Sequence, residues 1–126
     1  MAEPSSWVAV VDDDPAVLKA LSRLLRSRAF RARSFGSGQE FLAALSDSLP
    51  ICLIVDRQMP EMNGLELQQH LVSNGIEIPT ILISAHGDAA SRSDEGTLVA
   101  NLRKPLQEDI LFSAIDQAIG SSRNAK

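Results

Sequence analysis

A single cysteine in 126 residues leaves no partner for a disulfide within the chain. Cys52 sits inside an apolar run and reads as a small buried residue. Lys and Arg never run longer than two together and the formal net charge is −4, so the footprint of a nucleic-acid binder is missing. No apolar stretch approaches the roughly 20 residues that span a bilayer. Met1 to Ser6 lack the basic and apolar regions of a signal peptide. These absences point to a cytoplasmic protein with no membrane contact. Internal repeats and low-complexity segments are also lacking. What remains is 44% apolar and 22% charged, enough for one core of ordinary size. The expected organisation is a short tail over 1–6, one domain over 7–120, and a C-terminal tail or linker start over 121–126.

Along the chain, short apolar runs alternate with amphipathic stretches. Trp7 to Val11 reads as a buried strand stopped by Asp12-Asp13-Asp14-Pro15. Asp13 or Asp14 can cap the following helix, and Pro15 suits its first turn. Val17, Leu18, Leu21, Leu24 and Leu25 recur at helical spacing, with Lys19, Arg23 and Arg26 on the other side. Phe30 to Phe35 alternates weakly, as an edge strand with its arginines in water would. Ser37 and Glu40 have capping-box spacing before Phe41, Leu42 and Leu45. Ile51 to Val55 is a second fully apolar run, and it ends in Asp56 and a Pro/Asn/Gly loop. A helix is expected from Gly64 to Ser73, with Leu65, Leu67, Leu71 and Val72 apolar and Asn74-Gly75 closing it. Ile78 to Ser84 is a further strand, Leu98 to Lys104 another. A last helix follows from Glu108, with Ile110, Leu111, Ala114, Ile115 and Ile119 buried and fraying expected from Gly120. Strand–helix alternation of this kind calls for an α/β domain, a parallel sheet covered on both faces in three layers, doubly wound with right-handed crossovers.

Four strands end in functional side chains: Asp12/Asp13, Asp56, Ser84 and Lys104. In a parallel sheet these ends share one rim, and ligands collect at the carboxyl ends of such strands. Three carboxylates there repel one another unless a cation joins them. Oxygen donors without a His or Cys cluster suit a hard ion such as Mg²⁺. An ammonium and a hydroxyl opposite them are what a bound phosphoryl group wants. Each residue also has an ordinary reading when taken alone. The acids after Val11 can serve a helix N-terminus, Ser84 can be a turn residue, and Lys104 a solvated strand end. His86 fits an exposed or capping residue, and Met59 and Met62 fit loop packing.

Four motifs in order, Val-Val-Asp12-Asp13, Val-Asp56-x-x-Met-Pro60-x-Met-x-Gly64, Ile-Ser84-Ala85 and Lys104-Pro105, make the stretch from about Trp7 to Ile119 resemble the receiver domain of two-component response regulators. Ser84-Ala-His86-Gly-Asp88 is similar to the corresponding segment of the nitrogen-fixation (FixJ-like) class. The resemblance implies a five-stranded flavodoxin/CheY-like sheet of order 2-1-3-4-5. It implies that Asp56 accepts a phosphoryl group from a histidine kinase or phosphotransfer protein, in a self-modifying switch and not an enzyme with turnover. Asp13 would bind Mg²⁺ directly, Asp12 largely through water, and the Gln58 backbone carbonyl would complete the protein ligands beside Asp56. Ser84 would sense the phosphoryl group, Lys104 would pair with it, and the Lys104–Pro105 bond would be cis.

Two features depart from that pattern. Asn101 stands three residues before Lys104, where receivers carry a Tyr or Phe whose ring moves with the Ser/Thr, so the usual coupling is expected to be altered. Only 19 residues separate Ser84 from Lys104, and 87–97 contains no large apolar residue until Leu98. A reduced or disordered fourth helix is expected there, which would remodel the face of fourth helix, last strand and last helix that receivers use for homodimers. Two alternatives stand beside this reading. Asp12-x-Asp14 has the two-acid spacing of haloacid-dehalogenase-like phosphohydrolases, though Ala16 replaces the usual Thr or Val and Asp56 is left unexplained. A non-phosphorylated receiver relic that only binds protein is the other, favoured by Asn101 and opposed by the complete acid/lysine set.

Overall fold

The structure, a computed structural model, describes residues 7–45, 48–59, 61–84, 98–103 and 107–124. Five parallel strands, β1 (Val8–Val11), β2 (Ala32–Phe35), β3 (Cys52–Asp56), β4 (Thr80–Ser84) and β5 (Leu98–Arg103), form one sheet in the order β2-β1-β3-β4-β5. Helices α1 (Pro15–Ser27) and α4 (Glu108–Asn124) cover one face, and α2 (Gly38–Ala44) and α3 (Gly64–Ser73) the other. This is the three-layer, doubly wound fold expected from the alternation. The expected reduced helix over 87–97 lies outside the described residues, as do His86, Lys104 and Pro105.

β1, β3 and β4 are buried at every residue because helices lie on both sides, which explains their unbroken apolar runs. Alternate residues serve opposite cores. Val8, Val10, Ile54, Ile81 and Ile83 pack with Leu25, Leu111 and Ile115, whereas Val11, Leu53, Val55 and Leu82 pack with Phe41, Leu67 and Leu71. Cys52 is fully buried, and desolvation pushes its thiol up from 9.0 to about 12.

The caps follow local chemistry. Asp14 is the N-cap of α1, accepting from the Ala16 N–H at 3.0 Å, with Pro15 in the first turn. Ser37 accepts from the Glu40 N–H at 3.1 Å, but Glu40 reaches back to the Gly36 N–H at 3.0 Å instead of the Ser37 N–H, so the expected box closes one residue early. The complete capping box belongs to α3, between Asn63 and Glu66. α1 and α3 both end in a Schellman motif. In α1 the Phe30 N–H reaches the Leu25 carbonyl and the Ala29 N–H the Arg26 carbonyl; in α3 Ile76 reaches Leu71 and Gly75 reaches Val72. Gly75 takes the left-handed position at φ +75°, while Ala29 takes it at φ 69° with a Cβ.

Apolar residues do not all face the core, and the face expected of α4 is rotated. On α3 the buried stripe is Gly64, Leu67, Gln68 and Leu71, at i, i+3, i+4, i+7, and Val72 is 45% exposed. On α4 the stripe is Leu111, Ala114, Ile115 and Ala118; Phe112 is buried beside it and Ile110 is 48% exposed. Phe112 is drawn in by Phe30, whose ring stacks at 6.0 Å, and by the Arg28 guanidinium 4.1 Å from its centroid. Arg28 also pairs with Glu108 at 3.5 Å on the surface. The α4 backbone continues past Gly120 to Asn124 instead of fraying there. β2 begins at Ala32 and β4 at Thr80, each two residues later than expected. In β5, Thr80 sits opposite Leu98 but Ile81 opposite Ala100, so Val99 is an extra residue that shifts the register.

Candidate functional site

Asp12 follows the last residue of β1, Asp56 is the last residue of β3 and Ser84 the last of β4. Those three strands are neighbours in the sheet, so the parallel arrangement brings all three residues to one rim. Asp12 is 2% exposed, Asp56 7% and Ser84 3%, whereas Asp13 is exposed. Carboxylate oxygens of Asp12, Asp13 and Asp56 lie within 4.8 Å of one another. Arg103, opposite Ser84, ends β5, and Lys104 is the next residue in the chain.

Both buried carboxylates are aimed by the same device. Asp12 Oδ1 accepts the Asp14 N–H at 2.9 Å, and Asp56 Oδ1 accepts the Gln58 N–H at 2.9 Å. Each is an aspartate turn that holds the side chain by the backbone two residues on. In the first turn the three successive acids therefore divide their work. Asp12 folds the turn, Asp13 joins the carboxylate group, and Asp14 caps α1. The two-acid pair implied by the hydrolase alternative is thus not assembled, because Asp14 is exposed and spent on the cap.

The second turn is longer and closes by a tertiary contact. Gly64 lies so close that a Cβ on it would sit 2.5 Å from the Asp56 carbonyl oxygen, 2.9 Å from Leu82 Cδ2 and 3.1 Å from Arg57 Cα. Its N–H donates to the Arg57 carbonyl at 3.2 Å, and the Arg57 N–H donates to Ile83 at 2.7 Å. Only glycine fits, and the start of α3 is pinned against the residue that carries the central carboxylate. The sequence marks this position with Gly at the first turn of a helix, where conformational freedom is not needed and a close approach is the remaining reason. Met59 and Met62 pack partly buried beneath this loop, as expected of them. Asn101 pairs with Leu82 on the α2/α3 side of the sheet and is half-buried.

Chemically, the rim offers a dense group of hard oxygen donors with low-dielectric walls. Two buried carboxylates this close repel strongly, and a divalent cation is their natural complement. The donor chemistry and the spacing both fit Mg²⁺.

The comparisons with known proteins agree with this geometry. The model of the response regulator receiver domain matches residues 8–116. The response regulator protein TmoT of Ectopseudomonas mendocina is 40% identical over 121 residues, covering 94% of this chain and 55% of that protein. The transcriptional regulatory protein FixJ of Rhizobium meliloti is 34% identical over 113 residues, covering 88% and 55%. The crystal structure of FixJ-N superimposes with a TM-score of 0.84 at 31% identity, covering 95% of this chain and 96% of that one. The chain thus spans about half the length of the curated relatives it matches. With the matched region running from β1 into α4 and the three acids gathered at its rim, the chain belongs to the response regulator receiver family of two-component systems.

Proposed function

We propose that this receiver takes a phosphoryl group onto Asp56 from the phosphohistidine of a histidine kinase or phosphotransfer protein, and that the modified domain then acts as a signalling switch. The observation that carries the reading is the group of three carboxylates at neighbouring strand ends, two of them buried and each of those held by its own turn. An Asp56 oxygen not engaged by Gln58 attacks phosphorus; the P–N bond of the donor breaks and its electron pair returns to the imidazole, which takes up a proton. Phosphoryl transfer runs through a loose transition state, so placement and charge neutralisation supply most of the catalysis. Asp13, Asp12, Asp56 and the Gln58 backbone carbonyl would hold Mg²⁺, which when bound neutralises negative charge on the transferring group. Lys104 adds a second positive charge, and the Ser84 hydroxyl donates to a phosphoryl oxygen. Both roles rest on the family resemblance.

The test is incubation of the 126-residue chain with acetyl phosphate and Mg²⁺, read by intact mass. The chain gains one phosphate and Asp56→Asn gains none. An adduct on both proteins, or on neither, removes Asp56 as the acceptor. Turnover of a generic phosphate ester without an Asp56 adduct would instead support the phosphohydrolase reading.

A further inference from the structure

Charge is distributed unevenly along this acidic chain. Residues 15–39 hold six of the twelve Lys/Arg and none of the sixteen Asp/Glu, so they carry +6 while the rest carries −10. All six cations are exposed. Lys19, Arg23 and Arg26 recur at i, i+4 and i+7 along one stripe of α1, Arg31 immediately precedes β2 and Arg33 lies within it. At the amino end of β2, far along the sheet from the carboxylate rim, a groove of about 720 Å³ is lined by Trp7, Arg26, Phe30, Arg31 and Arg33. Arg33 lies over the Trp7 ring at 4.6 Å, and Trp7 Nε1 donates to Ser48 Oγ at 2.8 Å.

β2 is an edge strand, with β1 as its one neighbour among the described residues. The Val8 N–H donates to Arg31 and the Asp12 N–H to Phe35. A parallel ladder engages alternate residues, so 31, 33 and 35 face β1 while the backbone groups of Ala32 and Ser34 point to the open edge. Ala32 lies on the α1 side of the sheet, Arg33 on the α2 side. The two sides of the edge therefore present cations separately: Arg26 above, Arg33 below.

We propose that this edge takes an extended acidic segment of a partner protein as an added strand. Main-chain hydrogen bonds to Ala32 and Ser34 supply the pairing, and carboxylates on both faces of the incoming strand meet Arg26 and Arg33. Guarding the edge against aggregation needs only a charge or two, and it does not account for a 25-residue stretch stripped of every acid. Nucleic acid fits less well, because the −10 carried by the rest of the chain repels a polyanion, whereas a short acidic peptide meets only the basic band.

Trp7 is the only tryptophan, so its emission reports occupancy of the groove. The probe is an end-blocked octapeptide of Glu and Val with acidic residues on both strand faces, titrated into the full chain at low salt. Three controls are the Gln-for-Glu peptide, the same acidic peptide N-methylated at alternate residues, and a single-stranded oligothymidylate. The acidic peptide should bind about tenfold tighter than the Gln and N-methylated forms, and weaken with salt. Arg26→Glu, a change at an exposed helix position, should weaken it severalfold, and Arg26→Glu with Arg33→Glu by about tenfold or more. Both variants should keep the phosphate adduct on Asp56, which separates this surface from the proposed phosphoacceptor site. Equal binding of acidic and Gln peptides, undiminished binding after N-methylation, tighter binding of the oligothymidylate, or no effect of Arg26→Glu overturns the proposal.

Discussion

From Val11 to Pro15 the chain passes from strand to helix through three residues; from Asp56 to Gly64 it uses seven. Both turns begin alike, with a buried aspartate accepting the N–H two residues on at 2.9 Å. Both end on a capped helix, by Asp14 for α1 and by Asn63 for α3. They differ in what closes them. The short turn is folded by its own side chains, with the Asp12 N–H donating to Phe35 of β2 at 3.1 Å where it leaves the strand. The long one closes only when Gly64 lies against the Asp56 carbonyl and Leu82, contacts supplied by β3 and β4. A site built from one local turn and one tertiary turn has its central carboxylate on the part that depends on the whole sheet.

The comparison breaks most completely at one acid from each turn, Asp56 and Asp13. Asp56→Asn should abolish the phosphate adduct. Asp13→Ala should remove most of the rise in Tm that Mg²⁺ produces by binding the folded state; an undiminished rise would place the metal elsewhere. Next in size is Gly64→Ala. Its Cβ meets backbone at 2.5 Å, so the strain should cost about 3 kcal/mol and slow adduct formation, measured by urea unfolding and by mass. If the variant is as stable as the parent, the long turn is not closed by that contact.

The caps should act almost equally despite the difference in turn length. Asp14→Ala and Asn63→Ala should each cost about 1 kcal/mol, and a much larger effect for one would show that its turn depends on the cap. Cys52, at the other end of β3, makes that strand's stability depend on pH where β1 carries no such group. The folded thiol ionises only at about 12, while the unfolded chain ionises near its ordinary value. Stability is therefore full below about pH 8 and falls as pH rises through the unfolded value, by about 1.5 kcal/mol at pH 10; Cys52→Val should remove that fall in pH-dependent melts. Smallest is Ala29→Gly at the far end of α1. Gly75 fills the equivalent place in α3 at φ +75°, so relieving the Ala29 Cβ should stabilise by about 0.5 kcal/mol, the gain of an unstrained left-handed residue less the entropy of glycine.

Much of this was readable in order along the chain, because strands, helix stripes and caps are decided by neighbours a few residues apart. Val8 to Val11 and Cys52 to Asp56 announced themselves as buried strands, and Asp14-Pro15 as a helix start. The carboxylate group followed from strand ends sharing a rim. The misjudged face of α4 and the exposed Val72 of α3 have one cause. Val72 and Ile110 are as apolar as the residues that are buried, yet α3 turns Gln68 inward and α4 turns Phe112 inward, toward Phe30 and Arg28. A helical repeat fixes which residues share a stripe but leaves a rotation of one position open, and packing against distant elements chooses it.

By itself, the sequence determined the alternating elements, the burial of Cys52, and the identity of the side chains at each strand end, since these rest on periodicity and on residue chemistry. Only the tertiary structure decided that Asp12 and Asp56 are buried and held by matching turns, that Val99 is an extra residue in β5, and that Gly64 is required for space. It also brought Arg26, Arg31 and Arg33 to one groove beside an open edge. The physical reason is the same in each case: these facts concern atoms that are a few ångströms apart in space but tens of residues apart, or turned by one residue, along the chain.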